Sequence, residues 1–349
     1  MRLERIVPGR RPPDALIGGV LTRDLAVGGA RWAKGRRLSR EDLEALGDAP
    51  VPVGDPVTVV ILEAGDVHED DAALALAQAA AGAGVELRGP VQSRVDLVAV
   101  EDGVLHVRVA ELERLNRIDP LELFTAIDGS VVTARTLVGS LKIAPHVVAD
   151  AVLQPALARL RAMPGGLVRV AAFRPMRVAA VVKESVRPAD RDRFERSVRA
   201  KVDGLGSSLT GIAYVADEDA AVTDAVRAAT TGHDRADVLL TAGGRSTDPL
   251  DPFFAALDTL GGEVVRRGVP AHPGSMLWLA RIGRIAVLGL PTCGAYSKAT
   301  AADLVLPRLL SGERPGPRLV SSLGHGGILT RDQRFRFPRY ARELDAPDG

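Results

Sequence analysis

Three short polar segments hold the residues best suited to chemistry, and each comes at the end of an apolar run. The first is Lys183-Glu184-Ser185, after Val178–Val182. The second is Thr241-Ala-Gly-Gly-Arg-Ser-Thr-Asp248, after Asp237–Thr241. The third is Pro291-Thr-Cys-Gly-Ala-Tyr-Ser-Lys298, which follows Ile285–Leu290 and opens onto a helical pattern. Gly243 and Gly244 allow backbone N–H groups to approach an anion closely. Ser246, Thr247 and Ser297 add hydroxyl donors, and the N-terminus of the last helix adds partial positive charge. Lys298 falls in the first turn of that helix, where a cation opposes the helix dipole unless an anion lies beside it. Together these groups make a cradle for a phosphate-bearing ligand. Taken singly, a Gly-Gly pair also suits a plain turn and a lysine at a helix start suits a solvated surface.

Asp248 and Asp251 flank a proline in the same region, and two readings of them stay open. One makes Asp251 the N-cap of a helix beginning near Pro252. The other makes the pair a catalytic magnesium site beside the phosphates, because hard oxygen ligands suit that ion. Cys293 is either a buried thiol or a ligand for a soft metal or dithiolene. Lys142 is either an edge residue whose stem lies along the strand or a second anion ligand. Asp66, Glu69 and Asp70 offer an acidic metal or substrate site, but Asp66 and Glu69 read more readily as a capping box for the following helix. The six histidines include no i, i+4 pair of the kind that holds zinc. Arg334-Phe-Arg-Phe337 alternates with period two and reads as an edge strand or extended tail.

The elements that must position these groups follow from the apolar pattern. Beyond Met163-Pro-Gly-Gly166, a linker candidate, strands are expected at Val178–Val182, Leu209–Val215, Asp237–Thr241, Glu263–Val269 and Ile285–Leu290. Helices are expected at Asp190–Leu205, Asp217–Thr230, Phe253–Leu260 and Ala299–Leu310. Strands alternating with long helices imply βαβ crossovers and a parallel sheet, whose ligands bind outside the carboxyl ends of the strands. The half before the linker is mixed. It offers a helix at Arg40–Leu46 capped by Ser39, a strand at Val57–Leu62, an Ala-rich helix at Ala72–Ala81, further strands including Val131–Ile143, and a helix from Val147 to Arg161. The expected architecture is an α/β protein: a three-layer molecule with a parallel, mixed-edge sheet over 166–312, an N-terminal α+β domain over 1–165 and a tail over 313–349.

Composition narrows the function. Across 349 residues, 45 Lys+Arg and 44 Asp+Glu nearly cancel, so no one-signed basic surface for nucleic acid is expected. Aromatic residues make up 3%, too few for base-stacking platforms. With a single cysteine, no intramolecular disulfide forms. No apolar run is long enough to span a membrane, and a cytoplasmic location is expected. Only five lysines stand among the 45 basic residues (34, 142, 183, 201 and 298). Coding bias supplies arginine here, so each lysine merits inspection.

The segment Val238-Leu-Leu-Thr-Ala-Gly-Gly-Arg-Ser-Thr-Asp-Pro-Leu-Asp251 resembles the molybdopterin-binding domain of MogA/MoaB-type and MoeA-type proteins. Asp251 coincides with the aspartate of that family's loop. Leu260–Gly274 is similar to its helix, strand and Pro-Gly turn, and Gly289-Leu-Pro291 to the start of its second binding loop. The resemblance covers roughly residues 175–312, and Gly35–Gly47 is similar to the stretch preceding this domain in the MoeA type. Where MoeA-type proteins carry Thr-Gly-Asp-Glu, this chain has Lys183-Glu-Ser; where they carry Gly-Asn-Pro, it has Thr292-Cys-Gly. A divergent branch, sometimes fused to a nucleotidyltransferase, is similar in the last loop at Cys293 and Lys298, at Asp248 and Asp251, and at Gly65-Asp66-Val-His-Glu-Asp70. The resemblance implies binding of molybdopterin or its nucleotide derivative by Gly243, Gly244, Ser246, Thr247, Pro291, Cys293, Ser297, Lys298 and Lys183, with magnesium near Asp248 and Asp251. Its chemistry would be adenylyl transfer or molybdate insertion in molybdenum cofactor biosynthesis or maturation. A non-catalytic carrier for a molybdoenzyme and a CinA-type nucleotide pyrophosphatase are the alternatives. A molybdoenzyme or nucleotidyltransferase partner and homo-oligomers are further expectations of the resemblance.

Overall fold

The computed structural model describes residues 1–7, 9–49, 56–183, 191–290 and 299–344. The chain forms two compact units. Unit 1 takes residues 1–101, 106–128 and 134–170, and unit 2 takes 102–105, 129–133 and 171–349. The chain passes between them for the last time after Val170, a few residues beyond the Met163–Gly166 turn.

Unit 1 begins with β1 (Arg2–Ile6), β2 (Val20–Leu21), the hairpin β3 (Leu25–Val27) and β4 (Ala30–Trp32), α1 (Arg40–Gly47) and β5 (Val57–Ile61). Strands β1, β5 and β2 form an antiparallel sheet in that order. As expected, Ser39 caps α1: its hydroxyl accepts the Asp42 N–H and the Asp42 carboxylate accepts the Ser39 N–H. Next, β6 (Asp66–His68) runs straight into α2 (Glu69–Ala80). The cap of α2 differs from the capping box expected of Asp66 and Glu69. Asp66 is paired in strand register with Ala149, so its side chain is held away from the helix and accepts the Glu63 N–H instead. His68 takes the capping position, its Nδ1 accepting the Asp70 N–H at 3.1 Å. Glu69 turns to the Nδ1 of His146 at 3.0 Å.

The remaining elements up to the crossing are β7 (Val85–Val91), β8 (Arg94–Ala99), β9 (Gly103–Val107), α3 (Val109–Leu115), β10 (Leu121–Thr125), β11 (Val131–Val132), β12 (Leu137–Ile143), β13 (Val147–Ala149), α4 (Asp150–Arg161) and β14 (Val168–Ala172). An antiparallel sheet of order β10-β12-β8-β7 lies under α2, whose Ala72, Ala73, Leu76, Ala77 and Ala80 are buried. Small side chains let the helix sit close to the strands. The single strand expected over Val131–Ile143 is instead two, because Arg135 at φ 69° turns the chain between β11 and β12.

Unit 2 contains β15 (Arg177–Lys183), α5 (Arg191–Asp203), β16 (Ser208–Val215), α6 (Asp219–Thr230), β17 (Val238–Ala242), α7 (Pro252–Thr259), β18 (Glu263–Arg267), β19 (Trp278–Ile282), β20 (Ile285–Gly289) and α8 (Ala302–Leu310). Its sheet runs β16-β15-β17-β20-β19-β18. The first four strands are parallel, and β19 pairs antiparallel with both β20 and β18. Hydrophobic residues cover both faces. Val178, Ala180 and Val182 join a core with α5 and α8 on one side, while Ala179 and Val181 join a core with α6 and α7 on the other. Burial on both faces explains why β15 is a continuous apolar run rather than an alternating one.

After α8, residues 313–344 pack onto the first of these cores through Leu319 and Val320 of α9 (Pro317–Ser321), Leu323, Phe337, and Tyr340 and Ala341 of α10 (Arg339–Leu344). The Arg334–Phe337 stretch is not an edge strand: Arg331–Arg336 is a 3-10 helical segment. Period two is shared by a strand and by a chain that anchors only Phe337, so the pattern alone cannot separate them. No helix among the described residues is long and apolar enough to cross a membrane.

Candidate functional site at the strand ends of unit 2

Strand alternation fixes where Lys183 points. Val182 faces the α5 side of the sheet, so the next residue faces the α7 side. There Lys183 is fully buried, its ammonium 5.4 Å from the centre of the Phe253 ring. The Nζ donates to Asp251 Oδ2 at 2.7 Å and meets Asp217 Oδ1 at 2.6 Å. Asp217 lies two residues past the end of β16, the strand beside β15. Its carboxyl is held below the usual carboxylate range, chiefly by the Lys183 ammonium, with burial opposing.

Asp251 is 1% exposed and serves several donors at once. It is the N-cap of α7, with Oδ1 accepting the Phe253 N–H at 3.0 Å and Pro252 in the first turn. Its Oδ2 also accepts the backbone N–H of Arg245 at 2.6 Å. One carboxylate thus ties together β15, the glycine loop and α7. Arg245 then reaches outward, Nη2 to Asp217 Oδ2 at 3.0 Å, with its side chain 63% exposed.

The two glycines have distinct reasons. Gly243 has φ +84°, a conformation that side chains disfavour. Gly244 leaves room for Phe253: a Cβ there would lie 3.1 Å from Phe253 Cδ2. Beyond them Ser246 and Asp248 are half-buried and Thr247 is exposed. Asp248 Oδ1 accepts the Leu250 N–H at 3.0 Å, and the Asp248 N–H donates to the Arg245 carbonyl at 2.9 Å, so this loop is closed by its own hydrogen bonds.

The structure therefore brings Lys183, Gly243, Gly244 and Asp251 together at one edge, with Ser246, Thr247 and Asp248 following on the same loop. Pro291, Cys293, Ser297 and Lys298 lie outside the described residues, as do Glu184 and Ser185. The approach to that second loop is described, however. Leu290 donates its N–H to the Thr241 carbonyl at 2.7 Å, so β20 ends beside the glycine loop. Lys142 stands in β12 of unit 1, across from Glu122 and Arg94.

Two groups escaped the sequence reading. Asp217 belongs to a fourth strand end on the same edge, and adjacency of β16 to β15 is the signal that places it there. Lys201 and Asp303 form a second buried ion pair, between α5 and α8. Lys201 falls on the apolar face of α5 with Phe194, Ser197, Val198 and Val202, and its ammonium is 5.5 Å from the Tyr340 ring centre. The Tyr340 hydroxyl is pushed well above its ordinary value, first by burial and then by the Asp303 charge.

Residues 178–311 match the family model described as a probable molybdopterin binding domain. The matched residues lie within unit 2. The matched span includes Lys183, Asp217, Gly243, Gly244, Arg245 and Asp251, that is, every described residue of the cluster. Solved structures with similarity include molybdenum cofactor biosynthesis protein B, at 19% identity over 50% of this chain and 98% of that one, TM-score 0.29. Others are the molybdopterin biosynthesis MoeA protein from Pyrococcus horikosii, at 16% identity over 74% and 81% with TM-score 0.32, and MoaB from Thermus thermophilus, at 21% over 40% and 98% with TM-score 0.30. No curated protein sequence matches the chain. In the matched segment, the sheet is the expected parallel one with an antiparallel edge, and the polar groups collect at its carboxyl edge, where an open α/β sheet holds its ligands.

Proposed function

We propose that this chain binds molybdopterin, or its nucleotide derivative, at the carboxyl edge of the unit 2 sheet and acts in biosynthesis or maturation of the molybdenum cofactor. The reading rests on one observation: the segment matching the molybdopterin-binding family is the segment whose strand ends gather Lys183, Gly243, Gly244 and Asp251. The backbone of the Gly243–Thr247 loop would meet the pterin phosphate, with Ser246 and Thr247 as hydroxyl donors. Arg245 is the exposed cation of the cluster. Its pair with Asp217 is at the surface, where such contacts are weak and exchangeable, so its guanidinium is free to turn to a phosphate. Pro291, Cys293, Ser297 and Lys298 would close the site from the loop after β20.

The described residues do not fit a magnesium ion bound by Asp251. That carboxylate already accepts from Lys183, Arg245 and Phe253, and no group of three metal-ligating side chains occurs among the described residues. Asp251 instead acts here as a brace that holds the loop and α7 in register for the ligand, and Asp248 shapes the loop through Leu250. This commitment of Asp251 favours the carrier reading, in which the protein holds the cofactor for a client molybdoenzyme. Adenylyl transfer would need the phosphate charge offset by something other than a magnesium ion held on Asp251.

The test is equilibrium binding of molybdopterin to the full chain, followed by incubation of adenylylated molybdopterin with molybdate. Saturable binding with release of AMP identifies a transferase, and saturable binding without turnover identifies a carrier. Absence of binding by either form refutes the proposal.

A further inference from the structure

Unit 1 holds a separate group of charged side chains around one open pocket. Arg94 of β8 and Lys142 of β12 are direct cross-strand partners, an arrangement in which like charges repel. Arg94 is bound to Asp96 by two hydrogen bonds of 2.6 and 3.0 Å, and Asp96 also accepts from Ser140 Oγ at 2.5 Å. Lys142 is exposed, and although Glu122 stands across from it on β10, no ion pair engages its ammonium among the described residues. Arg88 of β7, in register with Asp96, donates to Glu86 Oε1 at 3.0 and 2.5 Å. Arg88, Arg94 and Lys142 line one open pocket of about 460 Å³, in which Asp96 is the lone lining acid.

The pocket floor and rim are specialised too. Gly89, at φ +113°, packs so closely that a Cβ would lie 2.7 Å from the Arg94 carbonyl oxygen, which leaves bare backbone on the floor. The two-residue turn from β7 to β8 places Gln92 (φ 51°) and Ser93 (φ 65°) in the left-handed region, where Asn-Gly or Gly-Gly would be the unstrained choice. Asp70 holds this turn, its Oδ1 accepting the Ser93 N–H at 2.9 Å, and so fixes Gln92 on the rim.

We propose that this pocket binds a phosphorylated small molecule, with Lys142 as its principal cation and Arg88 and Arg94 as flanking donors. Multiple oxygens carrying a charge of −2 or more suit several converging cations better than a single carboxylate does, and the volume is that of a small-molecule site. The proposal stands on unit 1 residues only and is independent of the pterin assignment.

Calorimetric titration of the full chain with inorganic pyrophosphate tests it. The wild-type chain should bind, Lys142→Gln should weaken that site about tenfold or more, and Arg245→Ala in unit 2 should retain it. No binding by wild type, unchanged binding by Lys142→Gln, or loss of the site in Arg245→Ala would each overturn the proposal.

Discussion

Lys183 and Asp251, 68 residues apart in sequence, meet inside unit 2 with Nζ and Oδ2 separated by 2.7 Å. Lys183 is fully buried and Asp251 is 1% exposed. The pair joins the end of β15 to the start of α7, with the glycine loop hydrogen-bonded to the same carboxylate. A buried charge of this kind is destabilising when its partner is removed, at about 3–5 kcal/mol. Lys183→Met should therefore lower stability by about 3–5 kcal/mol in urea unfolding.

Asp251→Asn separates the two jobs of that residue. Asparagine remains a good helix cap, so the loss it causes reports the Oδ2 contacts with Lys183 and the Arg245 N–H. Because Lys183 keeps Asp217, the expected loss is about 3 kcal/mol, the lower end for a broken buried pair. A loss under about 1 kcal/mol would mean that Asp251 matters to folding only as a cap.

Asp217 makes part of the stability pH-dependent. Its carboxyl is depressed in the folded protein, so its contribution is present above the unfolded value of about 3.9 and disappears as pH falls through the lower folded value. Thermal melts of wild type and Asp217→Asn should differ most above about pH 4 and converge in stronger acid. A gap that stays constant down to the acid limit would contradict the pairing.

The Lys201–Asp303 pair, between α5 and α8, offers a comparable test. Lys201→Met alone leaves a buried aspartate and should cost about 3–5 kcal/mol. Adding Asp303→Asn removes the stranded charge, so the double variant should be more stable than the sum of the two single losses implies. Additive losses would show that the two side chains act separately.

Much of this was legible in the sequence. The apolar runs of unit 2 gave its strands because both faces of that sheet are covered, and Gly243, Gly244 and Asp251 announced a turn and a helix start through Pro252. Lys183 reads as the first loop residue from polarity alone, yet it is the last residue of β15 because Asp217 and Asp251 satisfy its charge in the interior. Asp217 stayed hidden because strand order, which seats β16 beside β15, is a tertiary property. Lys201 carried a readable signal twice over: it is a lysine in an arginine-rich chain, and it lies on the apolar face of α5. In unit 1, Asp66 has the spacing of a capping residue, and only its pairing with Ala149 in β6 and β13 shows why His68 takes that place.

The proposed function requires the unit 2 loop to be a pterin site. The direct measurement is to load the purified full chain with molybdopterin released from a molybdoenzyme, remove the excess, oxidise the protein fraction and read pterin fluorescence, beside an Arg245→Glu variant. Fluorescence near one pterin per chain is expected in the wild type and its loss in Arg245→Glu, which places a repelling charge on the glycine loop. Pterin-free wild-type protein, or equal loading of both, would contradict the proposed function.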